Sequence, residues 1–229
     1  SSKIDEYGLG CYRQDFNMEP LPYWQAADEP DRQGIAEMKY IAGFYRIWDG
    51  LLDRNPGLMI DNCASGGRRI DIETCSRALP LWRSDCNEVH RGEQGPGFYP
   101  EMALADQVQV SGLSLYVPYH AGPVWSTEPY CWRSAMATGA SMYGYLDGFD
   151  LSVSRAAIAE LQELRPLWAG NIYVLTPISL DDTTWHAFQL HRQDLGKGCL
   201  LAFRRAACTE DALAVNLREI DPDAMYRVE

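Results

Sequence analysis

The chain has 229 residues, with 20 basic against 32 acidic side chains and a formal net charge of −12. A surface this acidic repels polyanions, which argues against nucleic acid and anionic membranes as partners. Hydrophobic residues at 46% and charged residues at 23% are the balance of a folded protein with a core; they exclude low-complexity disorder, collagen and coiled coil.

In chain order, Leu9 to Asp15 reads as a short strand ending in polar residues, followed by a loop with Pro20 and Pro22. From Gln33 to Arg54, apolar residues at 35, 38, 41, 42, 45, 51 and 52 follow helical spacing, and Asn55-Pro56-Gly57 stops that helix. Leu58-Met59-Ile60 is a strand core running into Asp61-Asn62-Cys63. Arg68 to Ala78 predicts a short helix, and Leu79 to Trp82 a strand ending at Ser84-Asp85. Pro100 opens a helix through Gln109. Leu113 to Tyr119 predicts a strand, Trp132 to Ala140 a helix, Met142 to Leu146 an extended segment, and Ser152 to Trp168 a helix.

This strand, loop, helix order recurs about five times, the pattern of parallel strands with crossover helices. The polar groups Asp15/Asn17, Asp61/Cys63, Ser84/Asp85 and His120 follow strand C-terminal ends. Active sites sit there in (β/α) barrels and in doubly wound sheets alike. After about Gly170 the pattern changes. Segments 172–175, 185–191 and 199–203 read as strands, with a hairpin turn over Asp194 to Gly198 and no helix. The domain boundary is therefore expected near 168–172. A complete eight-stranded barrel needs about 250 residues, so a barrel here would begin partway round.

Seven cysteines at irregular gaps form no CxxC pair, which gives no zinc framework. Reduced, mostly buried thiols predict a cytoplasmic location, and Ser-Ser-Lys-Ile-Asp-Glu at the start has no signal-peptide character. No run approaches the ~20 apolar residues of a membrane span. Seven Trp and 13 Tyr suit a sugar-binding cleft as well as a core.

Asp15 and Asp85 are the strongest candidates for chemistry. Two facing carboxyl groups are the minimum for glycoside hydrolysis; each alone also fits a cap or a salt-bridge partner. Cys63-Ala64-Ser65-Gly66-Gly67-Arg68-Arg69 lets backbone N–H groups approach a ligand and offers arginine for a carboxylate or hydroxyls, or it is a plain tight turn. Neither phosphate-loop spacing nor a GxSxG elbow occurs. His120 reads equally as a cleft or a structural residue, His90 as solvated, and His186 and His191 as surface residues. No metal set is expected.

These segments resemble glycoside hydrolase family 36, the melibiase-type α-galactosidases. Tyr12-Arg13-Gln14-Asp15-Phe16-Asn17 is similar to the family's Lys-x-Asp-x-Asn nucleophile motif. Asp61-Asn62-Cys63-Ala64-Ser65-Gly66-Gly67-Arg68-Arg69-Ile70-Asp71 is similar to its Glu-Asn-Cys-Ser-x-Gly-Gly-x-Arg-x-Asp segment, and Trp82-Arg83-Ser84-Asp85 to its Trp-x-Ser-Asp acid/base motif. Weaker echoes are Tyr119-His120-Ala121, Gly144-Tyr145-Leu146-Asp147 and Leu217 to Tyr226. The departures are Arg13 for lysine and Asp61 for glutamate.

The resemblance implies the C-terminal part of a (β/α)8 TIM barrel over residues 1–169, then an antiparallel β-domain over 170–229. The family's earlier strands are expected to precede residue 1. It implies retaining release of terminal α-linked galactose from galacto-oligosaccharides without a cofactor. Asp15 would attack the anomeric carbon and Asp85 serve as acid and base. Arg13, Asn17, Cys63, Gly66, Arg69 and Trp82 would bind the sugar. Asp15 is expected ionised and Asp85 protonated near neutral pH. An open barrel edge at Leu9–Asp15 would expose apolar surface and favour a homo-oligomer. The alternatives are an inactive or carbohydrate-binding remnant, a hydrolase of α-N-acetylgalactosaminides, or a transglycosylase.

Overall fold

The computed structural model describes residues 2–87, 98–142 and 151–228. The expected echo at Gly144–Asp147, and His90, lie outside them. The chain divides into two compact units, residues 1–85 and 86–229.

The first unit holds α1 (Ser2–Tyr7), β1 (Cys11–Gln14), α2 (Leu21–Ala27), α3 (Ile35–Arg54), β2 (Met59–Asn62) and α4 (Ile72–Cys75). β1 and β2 pair in parallel, with Tyr12 opposite Ile60 and Arg13 opposite Asp61. Leu79 extends the order through a single parallel bridge to Asp61, so the strand expected over Leu79–Trp82 shrinks to one bridge. Helix α3 starts on Gly34, whose side chain cannot cap. Asp28 does so from outside the helix: its carboxylate accepts the N–H groups of Gly34 and Ala36, both at 2.8 Å. Phe44, Trp48 and Leu51 are the buried residues of α3. Phe44 and Trp48 pack with Ile60 and Ala78, and Tyr12 closes the cluster. The helix expected over Arg68–Ala78 shortens to the single turn of α4, because Asp71 and Thr74 cap it reciprocally.

The second unit holds α5 (Phe98–Leu113), β3 (Pro123–Val124), α6 (Pro129–Ala135), β4 (Ser141–Met142), α7 (Leu151–Leu164), β5 (Asn171–Val174), β6 (Trp185–Arg192) and β7 (Lys197–Arg204). β3 and β4 are parallel, and β5-β6-β7 form an antiparallel sheet in that order. Among the described residues, pairing is thus parallel before Gly170 and antiparallel after it. The strand expected over Leu113–Tyr119 is absent. Helix α5 runs to Leu113, and turns follow with Leu115 and Tyr116 exposed. A short apolar run carries no period that separates a buried helix end from a strand.

The change at Gly170 lies inside the second unit, where one core joins Val110, Ala137, Leu167 and Trp168 to Phe188, Leu190, Leu201 and Phe203. The hairpin between β6 and β7 turns at Gly196, at φ 58°, a conformation glycine adopts without steric cost. β6 is covered on both faces. Phe188 and Leu190 enter the core, while the Gln189 amide exchanges two hydrogen bonds with the Arg218 backbone, at 2.9 and 2.8 Å.

His186 and His191, expected at the surface, are both buried. The correction has a physical basis: β6 is the central strand, so its polar residues need internal partners. His186 is fully enclosed. Its Nε2 meets Ser111 Oγ at 2.9 Å and its Nδ1 meets Thr176 Oγ1 at 3.2 Å. Burial, and then the nearby Arg205 charge, push its pKa down to about 4. The unfolded chain therefore takes up a proton that the fold refuses between the ordinary histidine value near 6.5 and pH 4. This contribution to stability is complete above about pH 6.5 and is lost as pH falls toward 4, at up to about 1.4 kcal/mol per pH unit. Denaturant titrations at pH 7, 5.5 and 4 are expected to give a shallower acid loss in His186→Gln than in the parent. An equal slope in both would exclude His186 as its source.

Candidate active site

The strand register decides which side chains meet. In a parallel pair, directly opposed residues project to the same face, and that face recurs every second residue. Arg13 and Asp61 share one face, and Asp15 and Cys63, two residues on, continue it. Tyr12, Gln14 and Ile60 occupy the other face, against α3; Trp48 Nε1 donates to Gln14 Oε1 at 2.8 Å there.

On the first face the Arg13 guanidinium is divided between two carboxylates. Its Nη1 donates to Asp61 Oδ2, and its Nη2 reaches Asp15 Oδ2 at 3.3 Å. Asp61 is buried, and its Oδ1 accepts the N–H of Leu81 at 3.2 Å. Partial burial raises the Asp15 pKa and is the largest single influence on it. The Cys63 thiol, the Arg13 charge, the Asn17 side chain and the Phe16 N–H together outweigh that burial and hold the carboxyl below its ordinary value. This agrees with the expectation of an ionised Asp15. Burial pushes the Cys63 thiol up, so the sulfur keeps its proton and acts as a donor. Cys63 Sγ also lies 3.8 Å from the Gly66 carbonyl.

The turn from Ser65 to Gly67 carries the remaining parts. Ser65 and Gly66 both have positive φ, 45° and 74°. Asn17 holds Ser65 in this conformation, its Oδ1 accepting the Ser65 N–H at 2.9 Å and the hydroxyl at 3.1 Å. Arg68 and Glu19 pair across the same two loops. Gly66 packs under Asp85: a Cβ at this position would lie 2.6 Å from the Asp85 nitrogen and 2.9 Å from its Oδ1. Trp82 Nε1 donates to that same Oδ1 at 2.9 Å. Contacts therefore run from Asp15 through Cys63 and Gly66 to Asp85. They bring together Arg13, Asp15, Asn17, Cys63, Gly66, Trp82 and Asp85.

Arg69 is engaged elsewhere, its guanidinium 5.1 and 4.6 Å from the ring centroids of Phe16 and Phe44. The residue that sequence reasoning left out is Asp61. Its signal was present as a pair of departures from the family motifs, Arg13 and Asp61 together, which the strand register makes neighbours.

The melibiase family model matches residues 7–113. The probable α-galactosidase G of Aspergillus terreus is 26% identical over 202 residues, covering 83% of this chain and 26% of that protein. The α-galactosidase Mel36A of Lactobacillus acidophilus is 22% identical over 241 residues, covering 98% of this chain and 31% of that protein. Among solved structures, a variant of the family 36 α-galactosidase AgaA from Geobacillus stearothermophilus, in complex with stachyose, superposes with a TM-score of 0.73. It is 17% identical and covers 96% of this chain and 31% of that one. This likeness shows an α/β fold with an antiparallel sheet. The chain spans 26–31% of the length of these curated relatives.

A methyl group at position 66 tests the turn. Gly66→Ala has to shift either its own backbone from φ 74° or the Asp85 main chain. A loss of about 1–3 kcal/mol is expected from denaturant titration, with Asp85 displaced in a structure of the variant. An unchanged stability would show that the turn relaxes freely.

Proposed function

We propose that this chain, which matches the melibiase family model over residues 7–113 and resembles the family 36 α-galactosidases, carries the catalytic pair of a retaining α-galactosidase. The observation behind this reading is the set of contacts that joins Asp15 to Asp85 through Cys63 and Gly66. In the first step Asp15, kept anionic beside Arg13, attacks the anomeric carbon while Asp85 gives its proton to the leaving oxygen. In the second, Asp85 takes a proton from water as the water opens the glycosyl-Asp15 ester. The Asn17 Oδ1 is spent on Ser65, which leaves its amide N–H groups to donate. Arg13, Asn17, Cys63, Gly66, Arg69 and Trp82 are proposed to line the sugar. Stachyose, bound in the AgaA structure, supports the proposed substrate class: terminal α-linked galactose on an oligosaccharide.

In this reading the chain supplies the C-terminal part of a (β/α)8 barrel over 1–169 and an antiparallel β-domain over 170–229. The two parallel pairs and the order β5-β6-β7 support it. Seven free thiols support the cytoplasmic location, and exposed apolar residues Leu9, Met18 and Leu21 near β1 support assembly with further polypeptide or a second copy.

The test uses this chain and the full reading frame that encodes it, on nitrophenyl α-galactosides and on an unactivated galacto-oligosaccharide. Asp15→Asn is expected to lose turnover on every substrate. Asp85→Asn is expected to lose about 10²–10⁴-fold on the oligosaccharide, the range of general acid catalysis, and much less on activated nitrophenyl substrates. The basic limb of the kcat/KM pH profile is expected to disappear with Asp85. Equal losses for both variants across leaving groups would refute the division of roles. Binding without turnover by the full-length protein would favour the carbohydrate-binding alternative.

A further inference from the structure

We propose that Asp61 is a positioning residue, whose buried carboxylate holds one arm of Arg13 away from Asp15 and so keeps the Asp15 oxygens open for attack. The proposal rests on the assignment of Asp15 as nucleophile. A guanidinium beside an isolated carboxylate makes two parallel hydrogen bonds and covers both oxygens. Here it does not. One η-nitrogen is taken by Asp61 Oδ2, and the other meets Asp15 Oδ2 at 3.3 Å, longer than the 2.7–2.9 Å typical of charge-assisted contacts. Asp15 thus receives the positive charge without being capped by it.

Asp61 is suited to this work because it cannot follow Arg13. Its backbone lies in β2, paired to β1 on one side and bridged to Leu79 on the other. Its side chain is 7% exposed, against 42% for Arg13 and 35% for Asp15. Its second oxygen is fixed by the Leu81 N–H, four residues before Asp85. The fixed carboxylate therefore sets where the half-exposed arginine sits. Asp61 touches neither of the atoms proposed to react; its effect passes through Arg13.

The experiment is a double-mutant cycle in the full-length protein, with kcat and KM measured on a nitrophenyl α-galactoside and melting temperatures recorded for every variant. Asp61→Asn keeps the shape and the acceptor for Leu81 but frees Arg13 to close on Asp15. It is expected to lower kcat on the order of 10²-fold, the cost of misplacing a reacting group by about 1 Å, with KM changed far less. In an Arg13→Met background there is no guanidinium to misplace, so the same substitution is expected to change kcat less than about threefold, the non-additivity of two residues acting through one contact. Asp61→Glu keeps the charge and is expected to retain most of the activity.

Equal losses from Asp61→Asn in both backgrounds would overturn the proposal, because Asp61 would then act through Leu81 or the strand. So would a fall in kcat on the order of 10²-fold in Asp61→Glu at an unchanged melting temperature; this measurement does not use Asp61→Asn and decides the matter if that variant does not fold. The underlying reading fails separately, and takes the proposal with it, if the parent protein does not cleave the substrate or if Asp15→Asn remains active.

Discussion

The site depends on the register of β1 against β2. Arg13 lies opposite Asp61, and the Cys63 N–H donates to the Gln14 carbonyl at 3.0 Å where the strands end. Because a strand alternates its faces, this alignment sorts the residues into two sets. Tyr12, Gln14 and Ile60 meet α3, where Trp48 and Phe44 bury them. Arg13, Asp15, Asp61 and Cys63 take the opposite face, the one proposed to carry the chemistry. A slip of one residue would send the charged set against the apolar flank of α3 and leave Tyr12 and Ile60 without cover. The same burial that stabilises the helix face therefore enforces the composition of the other.

The loops after the strands are laced by polar contacts. Asn17 holds Ser65, Glu19 holds Arg68, and Asn62 Nδ2 donates to the Arg69 carbonyl at 2.7 Å. These bonds keep Ser65 and Gly66 at positive φ, a conformation that costs on the order of 1–3 kcal/mol for a residue other than glycine. The turn that results brings a glycine with no side chain against Asp85. Backbone strain, an amide clasp and a missing methyl group act together to set one carboxyl.

Much of this was legible in the sequence. Asp15, Cys63, Gly66 and Asp85 stand in motifs whose order matches the family, and the two-residue offset of Arg13 from Asp15 placed the arginine on the same face. The long helix ending at Asn55 and the three late strands follow directly from period and turn residues. What could not be read were the pairings between distant segments. Nothing local marks Asp61 as the partner of Arg13, since that follows only from the parallel register. Arg69 packs on Phe16 and Phe44, and no local pattern joins those three. His186 stands two and four residues before Phe188 and Leu190 and shares their face; its burial follows from that face entering the core and from β6 being central.

Two buried polar networks among the described residues illustrate different uses of the same physics. In the second unit Arg205 is enclosed, and its Nη1 donates to the carbonyls of Ser179 and Asp181 at 2.7 and 2.8 Å while its Nε reaches Gln107 Oε1 at 3.1 Å. Burial lowers its pKa and that of His186 alike, so the network holds one charge and keeps the imidazole neutral. Neutral acceptors around a single cation fix loops to strands, and nothing in that arrangement needs to move. In the first unit a buried carboxylate meets an arginine that is half in solvent. An ion pair of this kind adds little to stability, because the desolvation of Asp61 offsets its attraction to Arg13. An uncharged pair of the same shape is expected to cost the fold little. The charge on Asp61 is therefore better accounted for by its effect on Arg13: it competes for a guanidinium that would otherwise close on Asp15, and it leaves that carboxylate anionic, oriented and open on one side.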